Sequence, residues 1–292
     1  MPSNRSVLIT GASTGIGRAT AVRLARGSWR VFATVRKDED GERLAVEGKG
    51  RIQPIKLDVT NSKSIAAAAE ELQGALGDGG LDALINNAGV GLTAPVEFTS
   101  AKAFRTIFEV NLFGQIAVIQ AFLPLLRKAR GRIVNIGSVA DHLTPPFGGA
   151  MAASKAAFAS MSAALRLELK PQQVDVVLIE PGSIDTPAVD KTLGGIDRKI
   201  EDLGPDGAAL YGSGMRSVAE TFARMERAGS QPDVVAAVIE RALNARTPKT
   251  RYPAGKESRK LTWLAWALPE RLLDVAVLKT FGLSTKAASS SS

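Results

Sequence analysis

The chain has no cysteine and a single histidine, His142, among 292 residues. The first absence excludes disulfides, thiolate nucleophiles and cysteine-held metals. The second removes the repeated imidazoles of a histidine-built metal centre, so no metal site is expected. Tyrosine is scarce as well, with only Tyr211 and Tyr252. The net charge of +8 comes from Lys and Arg scattered along the chain, without a basic run interleaved with aromatics. No nucleic-acid partner is therefore expected, and the surplus fits attraction of a polyanionic small molecule. The N-terminus, MPSNRSVLIT, runs directly into a strand and leaves no room for a signal peptide, so a cytoplasmic location is expected. A hydrophobic content of 45% with 23% charged residues is that of a globular protein with a sizeable core.

What is present alternates. Strands read at Val7–Thr10, Arg30–Val35, Ile52–Leu57, Leu81–Asn86, Arg132–Ile136 and Val174–Glu180. Helices read from Gly11–Gly17 through Arg26, and at Ser64–Leu76, Ala101–Lys128 and Gly149–Leu169. Apolar strands alternating with helices predict a parallel sheet covered on both faces. No linker divides the chain, so one domain is expected over 1–292. Residues 188–228 read as a helical insertion over the substrate, Pro232–Asn244 as a helix, and Thr250–Pro253 as the last strand. A tail over 257–284 carries Trp263, Trp266, Leu272 and Phe281, broken by Pro269 and charges, and is expected to pack on the body rather than span a membrane. No integral membrane segment is expected. The Ser-rich end, 286–292, reads as disordered.

Two stretches carry chemistry. Thr10-Gly-Ala-Ser-Thr-Gly-Ile-Gly17 places glycines at 11, 15 and 17 between a strand and a helix. Such a turn lets the backbone approach a pyrophosphate held on the helix N-terminus. The second strand then ends in Arg36-Lys37, with no carboxylate before Asp38. A dinucleotide without a 2′-phosphate usually meets an acidic side chain at this place. Arg36 and Lys37, with Ser13 and Arg18, instead suit an extra phosphate, so NADP(H) is the expected cofactor; the alternative for the two cations is a solvated surface. The other stretch, Ser138 to Lys155, follows a buried strand and enters an Ala-rich helix. It offers the Ser138 hydroxyl and the Lys155 ammonium, with Met151 four residues before the lysine on the same helix face.

In combination these motifs resemble the short-chain dehydrogenase/reductase superfamily over about residues 5 to 255. The turn is similar to that family's TGxxxGxG, whose cofactor contacts would fall on Gly11, Ser13, Thr14, Gly15, Ile16 and Gly17. Leu57-Asp-Val59 resembles the segment that meets the adenine, through Asp58 and Val59. Asn86-Asn-Ala-Gly89 resembles NNAG, which places Asn87, Ala88 and Gly89 near the cofactor. Asn111 falls at the family's helix asparagine, Ser138 at its catalytic serine and Lys155 at the lysine of YxxxK. Glu180-Pro-Gly-Ser-Ile-Asp-Thr186 resembles the segment closing over the nicotinamide, which implicates Pro181, Gly182, Ile184 and Thr186. The ending Thr34-Val-Arg36 and the long tail are similar to the 17β-hydroxysteroid and retinol dehydrogenase branch. The implied fold is α/β, a doubly wound parallel sheet of Rossmann type in one domain with a helical lid. A homodimer or homotetramer through Ala101–Lys128 and Gly149–Leu169 is implied as well.

One departure stands against these matches. YxxxK reads Met151-Ala-Ala-Ser-Lys155, so the implied tyrosine acid is replaced by a thioether with no ionisable proton. Hydride delivery to a ketone develops an alkoxide that needs a positioned acid. Lys155 would still hold ribose hydroxyls. Tyr252 is expected to point away; Tyr211, in the insertion, has a conceivable approach. His142, four residues past Ser138 and beside Asp141, is the sharper substitute acid, against the plainer reading of a solvent-exposed loop residue or a contact shaping the substrate pocket. Three functions remain open. The first is an NADP(H)-dependent reductase with an atypical site, acting on a fairly apolar carbonyl, imine or conjugated substrate. The others are a non-redox cyclase or isomerase on the same scaffold, and a catalytically silent NADPH-binding protein. An inactivating Tyr-to-Met replacement would leave the same sequence.

Overall fold

In the computed structural model residues 5–283 are described; the Ser-rich end lies outside them. Seven strands form one sheet: β1 (Arg5–Ile9), β2 (Trp29–Val35), β3 (Ile52–Lys56), β4 (Ala83–Asn86), β5 (Arg132–Ile136), β6 (Asp175–Pro181) and β7 (Arg251–Ala254). Their order is β3-β2-β1-β4-β5-β6-β7, and every pairing is parallel. The chain winds outward from β1 to β3, crosses back, and winds the other way from β4. The reversal lies between β1 and β4, and a crevice opens there at the strands' carboxyl ends.

The alternation of side chains along each strand divides the core in two. Val7, Ile9, Val31, Ala33, Ile85 and Val134 face one side. There they meet Ala21 and Leu24 of α1 (Gly15–Arg26), Leu44 of α2 (Asp38–Glu47) and Val235 and Ile239 of α10 (Pro232–Asn244). Leu8, Phe32, Leu84 and Ile133 face the other side. They meet Ile65 and Leu72 of α3 (Ser62–Leu76) and Val118, Phe122 and Leu126 of α5 (Gly114–Ala129). Full burial of each such Val, Leu, Ile or Phe side chain contributes about 1.5–3 kcal/mol.

Local chemistry sets the helix starts. Asn61 caps α3 by accepting from Ser64 N at 3.1 Å, and Ser100 caps α4 (Ala101–Phe108) by accepting from Ala103 N at 3.1 Å. Pro232 opens α10, where its missing N–H costs nothing. The stretch expected as one helix over Ala101–Lys128 is interrupted: α4 passes through a π-helical segment, Glu109–Phe113, into α5. Taken whole, Ala101–Ala129 is long and apolar enough by length and composition to cross a membrane, but its own Val118, Ile119, Phe122 and Leu126 are buried in the core against the sheet.

The expected insertion is three helices, α7 (Ala188–Leu193), α8 (Ile196–Glu201) and α9 (Gly204–Arg227). The tail forms α11 (Ser258–Ala267) and α12 (Glu270–Thr280). It packs in part on the body, as expected. Phe281 is buried against Phe222 of α9, with ring centroids 6.5 Å apart, and Ser217 Oγ donates to Phe281 O at 2.7 Å. Trp263 and Trp266 face outward instead, 59% and 84% exposed.

Candidate active site

The crevice at the β1/β4 reversal is a cavity of about 500 Å³. One end is built by the glycine turn. Gly11 and Gly15 hold φ of +63° and +55°, the left-handed region that favours glycine. Gly17 meets a different constraint, since a Cβ there would lie 2.4 Å from Gly11 O and 2.5 Å from Asn87 Nδ2. Asn87 locks this turn to β4: its Nδ2 donates to Thr10 O and Gly11 O, each at 3.0 Å. Thr14 stands at the N-cap of α1 with its side chain making no cap bond, and no acidic residue lies in the first turn. The helix N-terminus therefore presents unpaired N–H groups and positive potential to the cavity. Gly11, Ser13, Thr14, Gly15 and Ile16 line it; Gly17 supports it from behind.

At the end of β2, Arg36 lines the cavity and Lys37 does not; Lys37 is the exposed N-cap of α2. Arg18 departs from its expected place in a cationic pocket. It makes a two-pronged ion pair with Glu47 at 2.9 Å, because α2 lies beside α1. Arg43 of α2, which the sequence reading missed, instead reaches Ser13 O at 3.2 Å. Asp58 and Val59 line the same end. The Asp58 carboxyl is held below its ordinary range, chiefly by the Thr60 backbone N–H and with help from Arg36.

The other end holds Ser138, Met151 and Lys155, all lining the cavity. The Ser138 hydroxyl accepts from Ala140 N at 3.1 Å and so caps a short 3₁₀ turn, Val139–Asp141. Met151 and Lys155 share one face of α6 (Gly149–Glu168). Lys155 Nζ donates to Ile136 O at 2.8 Å. Burial pushes its ammonium down to about 8, with the Asp141 carboxylate acting in the opposite direction. Asn111 lies in the π-helical segment, buried and just outside the lining. It donates to Val90 O at 2.9 Å and Ser154 Oγ at 3.0 Å, and accepts from Val90 N at 2.8 Å. Ser154 Oγ in turn donates to Met151 O at 2.7 Å. Asn111 thus ties the loop after Gly89 to the first turns of α6.

His142 lies elsewhere. The turn after Ser138 carries it away from the cavity, and its Nε2 sits 2.8 Å from Glu180 Oε1. The cause is Glu180, a carboxylate only 1% exposed, which draws both His142 and Arg251 as partners. Buried charge without partners is costly. Asp141, His142 and Glu180 bring ligand-type atoms within 4.8 Å of one another. Arg251 inserts its own cation there, with Nη1 3.0 Å from Asp141 Oδ2 and 3.1 Å from His142 Nε2. The expectation that His142 replaces the missing acid is therefore corrected. Tyr252 is buried with its hydroxyl accepting from Lys249 N at 2.9 Å. Tyr211 donates to Glu97 Oε2 at 2.7 Å and packs edge-on against Phe98 and Phe147, also outside the lining.

Beside Ser138, the end of β6 contributes Pro181 and the segment after it Gly182, Ile184 and Thr186 to the wall, and α7 adds Ala188 and Lys191. α7 sits close over the loop after β4, where a Cβ on Gly91 would come 2.5 Å from Thr192 Oγ1. Glu226, from α9, also lines the cavity, and sequence reading missed it. No motif marks it, and its partner, Ile184, is 42 residues away in the chain.

Comparison with known proteins shows the family of the chain. A family model described as short chain dehydrogenase matches residues 5–194. Retinol dehydrogenase 16 of Homo sapiens is 35% identical over 276 residues, spanning 93% of this chain and 87% of that protein. The 17-beta-hydroxysteroid dehydrogenase type 6 of Rattus norvegicus is 34% identical over 281 residues, spanning 93% and 87%. A short chain dehydrogenase from Burkholderia cenocepacia, solved in complex with NADP, matches with a TM-score of 0.72 at 25% identity, covering 95% of this chain and 99% of that one.

Proposed function

This chain belongs to the short-chain dehydrogenase family, and on that premise we propose that it is an NADP(H)-dependent oxidoreductase with an atypical proton-donor position. Its substrate is a fairly apolar carbonyl, imine or conjugated compound. The observation that carries the reading is the continuity of one cavity from the α1 N-terminus and Arg36 to Ser138, Met151 and Lys155. Resemblance to retinol and hydroxysteroid dehydrogenases supports the apolar substrate.

The residues fit a dinucleotide. Gly11 could carry no side chain, since a Cβ would meet Ala88 Cα at 2.8 Å, and Gly15 leaves the space before Thr186 open. Ser13, Thr14 and the α1 N-terminus would hold the pyrophosphate, Arg36 the 2′-phosphate, and Asp58 and Val59 the adenine. Asn87, Ala88, Gly89 and Lys155 would hold the ribose, and Pro181, Gly182, Ile184 and Thr186 the nicotinamide. When bound, the cofactor supplies hydride transfer. The chain's own residues position and polarise the substrate: the Ser138 hydroxyl offers a hydrogen bond to the substrate heteroatom, and Lys155, a cation at neutral pH, lends positive potential. Met151 holds no proton to give, so turnover favours electrophiles that need none. A protonated imine leaves a neutral amine after hydride capture, whereas a ketone leaves an alkoxide.

The thioether at 151 also favours a second reading, a non-redox or silent cofactor-binding protein. Incubation with NADPH and a panel of apolar ketones, enones and imines separates the two. Substrate-dependent NADPH oxidation supports the oxidoreductase. Conversion without oxidation, or binding without conversion, supports the second.

A further inference from the structure

Glu226 has no part in that account, yet it shares the wall with the residues proposed to meet the nicotinamide. It lies in the last turn of α9, and its Oε2 accepts from Ile184 N at 3.1 Å. The junction around it is stitched. Ser230 N donates to Ser183 O at 3.0 Å, Asp185 N to Ser230 O at 3.0 Å, and Lys256 N to Ser230 Oγ at 2.9 Å. Gly229 makes the close approach possible, since a Cβ there would fall 2.4 Å from Ser183 O. The carboxyl is therefore held in place at the wall shared with the residues proposed to meet the nicotinamide. That wall is set by β5 and β6, whose adjoining ends carry Ser138 and Pro181–Gly182, with Gly137 N donating to Ile179 O at 2.8 Å.

A nicotinamide ring is a cation when oxidised and neutral when reduced, so a fixed anion beside it distinguishes the two forms. We propose that Glu226 is a specificity-determining residue for the oxidation state of the cofactor, its carboxylate favouring the oxidised dinucleotide over the reduced one. The inference rests on the NADP(H) reading above and deepens it.

The surroundings let the carboxylate act as an adjustable charge. Burial, opposed by the Ile184 N–H and Ser183 and reinforced by Asp185, raises the Glu226 carboxyl to about 7. Asp185 faces it from the segment after β6, and its side chain is shared with Gln231. Lys256 approaches the same junction but donates its Nζ to Ala228 O at 3.0 Å. On the helix itself Arg227 pairs with Asp190, and Arg224 turns to Thr221. Lys191 and Lys155 line the same cavity. By linkage, binding of the oxidised form withdraws a proton from Glu226, and the reduced form admits one.

The test measures dissociation constants of NADP⁺ and NADPH by calorimetry from pH 6 to pH 8, for the native protein and Glu226→Gln. The 2′-phosphate titrates equally in both cofactor forms and cancels in their ratio; Lys155 is common to both proteins and cancels between them. The expected result is a native ratio Kd(NADPH)/Kd(NADP⁺) that rises about fivefold more across this range than in the glutamine variant, as a screened charge pair a few ångströms apart would give. Equal slopes in the two proteins overturn the inference, including the case where the variant loses affinity for both forms alike, the mark of a merely structural residue. If neither form binds the native protein, the NADP(H) reading itself fails and the inference falls with it.

Discussion

At position 151 a thioether stands on the face of α6 that carries Lys155 toward the cavity. On the proposed function that side chain limits which electrophile can be served, since no tyrosine or histidine among the described residues lines the space. At the opposite end of the cavity, Arg36, directly after β2, is the one arginine among the described residues in the lining, and a lost charged hydrogen bond costs about 1.5–3 kcal/mol. Arg36→Ala is expected to weaken NADPH binding about 10- to 100-fold while leaving NADH nearly unchanged, as titration of each cofactor would show. His142→Ala should leave NADPH affinity unaltered and lower stability by about 1–3 kcal/mol in denaturant unfolding, because Glu180 loses a partner. Why Ser138, Met151 and Lys155 were legible in the sequence while the partners of His142 were not follows from distance along the chain. The first three form a local pattern on one loop and helix. The fate of His142 depends on Glu180 and Arg251, 38 and 109 residues away, which only the folded sheet brings together.

At the scale of elements, hydrophobic alternation made the strands and most helices readable, and the glycine turn was placed where β1 meets α1. The sequence did not reveal α2 or the π-helical break, and both bear on the site. α2 takes Arg18 out of the cavity through Glu47 and brings Arg43 to Ser13. The break accompanies the burial of Asn111, which bridges Val90 and Ser154. Besides Asp58 in the loop after β3, α9 delivers a second acid, Glu226, into the wall, and its burial has a consequence for stability. The carboxyl is raised to about 7 in the folded chain from an ordinary value near 4.5, so the folded state holds the proton more tightly than the unfolded one. Its contribution is fully present below about pH 4.5 and is lost as pH rises through 7. The melting temperature of native protein should therefore fall relative to Glu226→Gln between pH 4.5 and 7.5, as read by scanning calorimetry at matched ionic strength.

The whole molecule joins these parts by one topological feature, the reversal between β1 and β4, which aims the glycine turn and the Ser138 loop at a common crevice. The fold class and single-domain architecture were readable because a regular βα alternation leaves few topologies. The outer surface was less so: exposed Trp263, Trp266 and Phe113 belong to no pattern that names what meets them. We propose that the chain assembles as a homodimer or homotetramer through α4–α5 and α6. Light scattering is expected to give two or four times the chain mass, and a monomer at micromolar concentration would contradict this. The central claim is a hydride-transfer scaffold without a proton donor at 151. NADPH oxidation by the native protein and by Met151→Tyr, side by side on apolar ketones, enones and imines, tests it most directly. The account predicts that the tyrosine variant gains about 10²–10⁴-fold on ketones, while the native protein works best on imines or enones. Native turnover of ketones equal to that of the variant would contradict it.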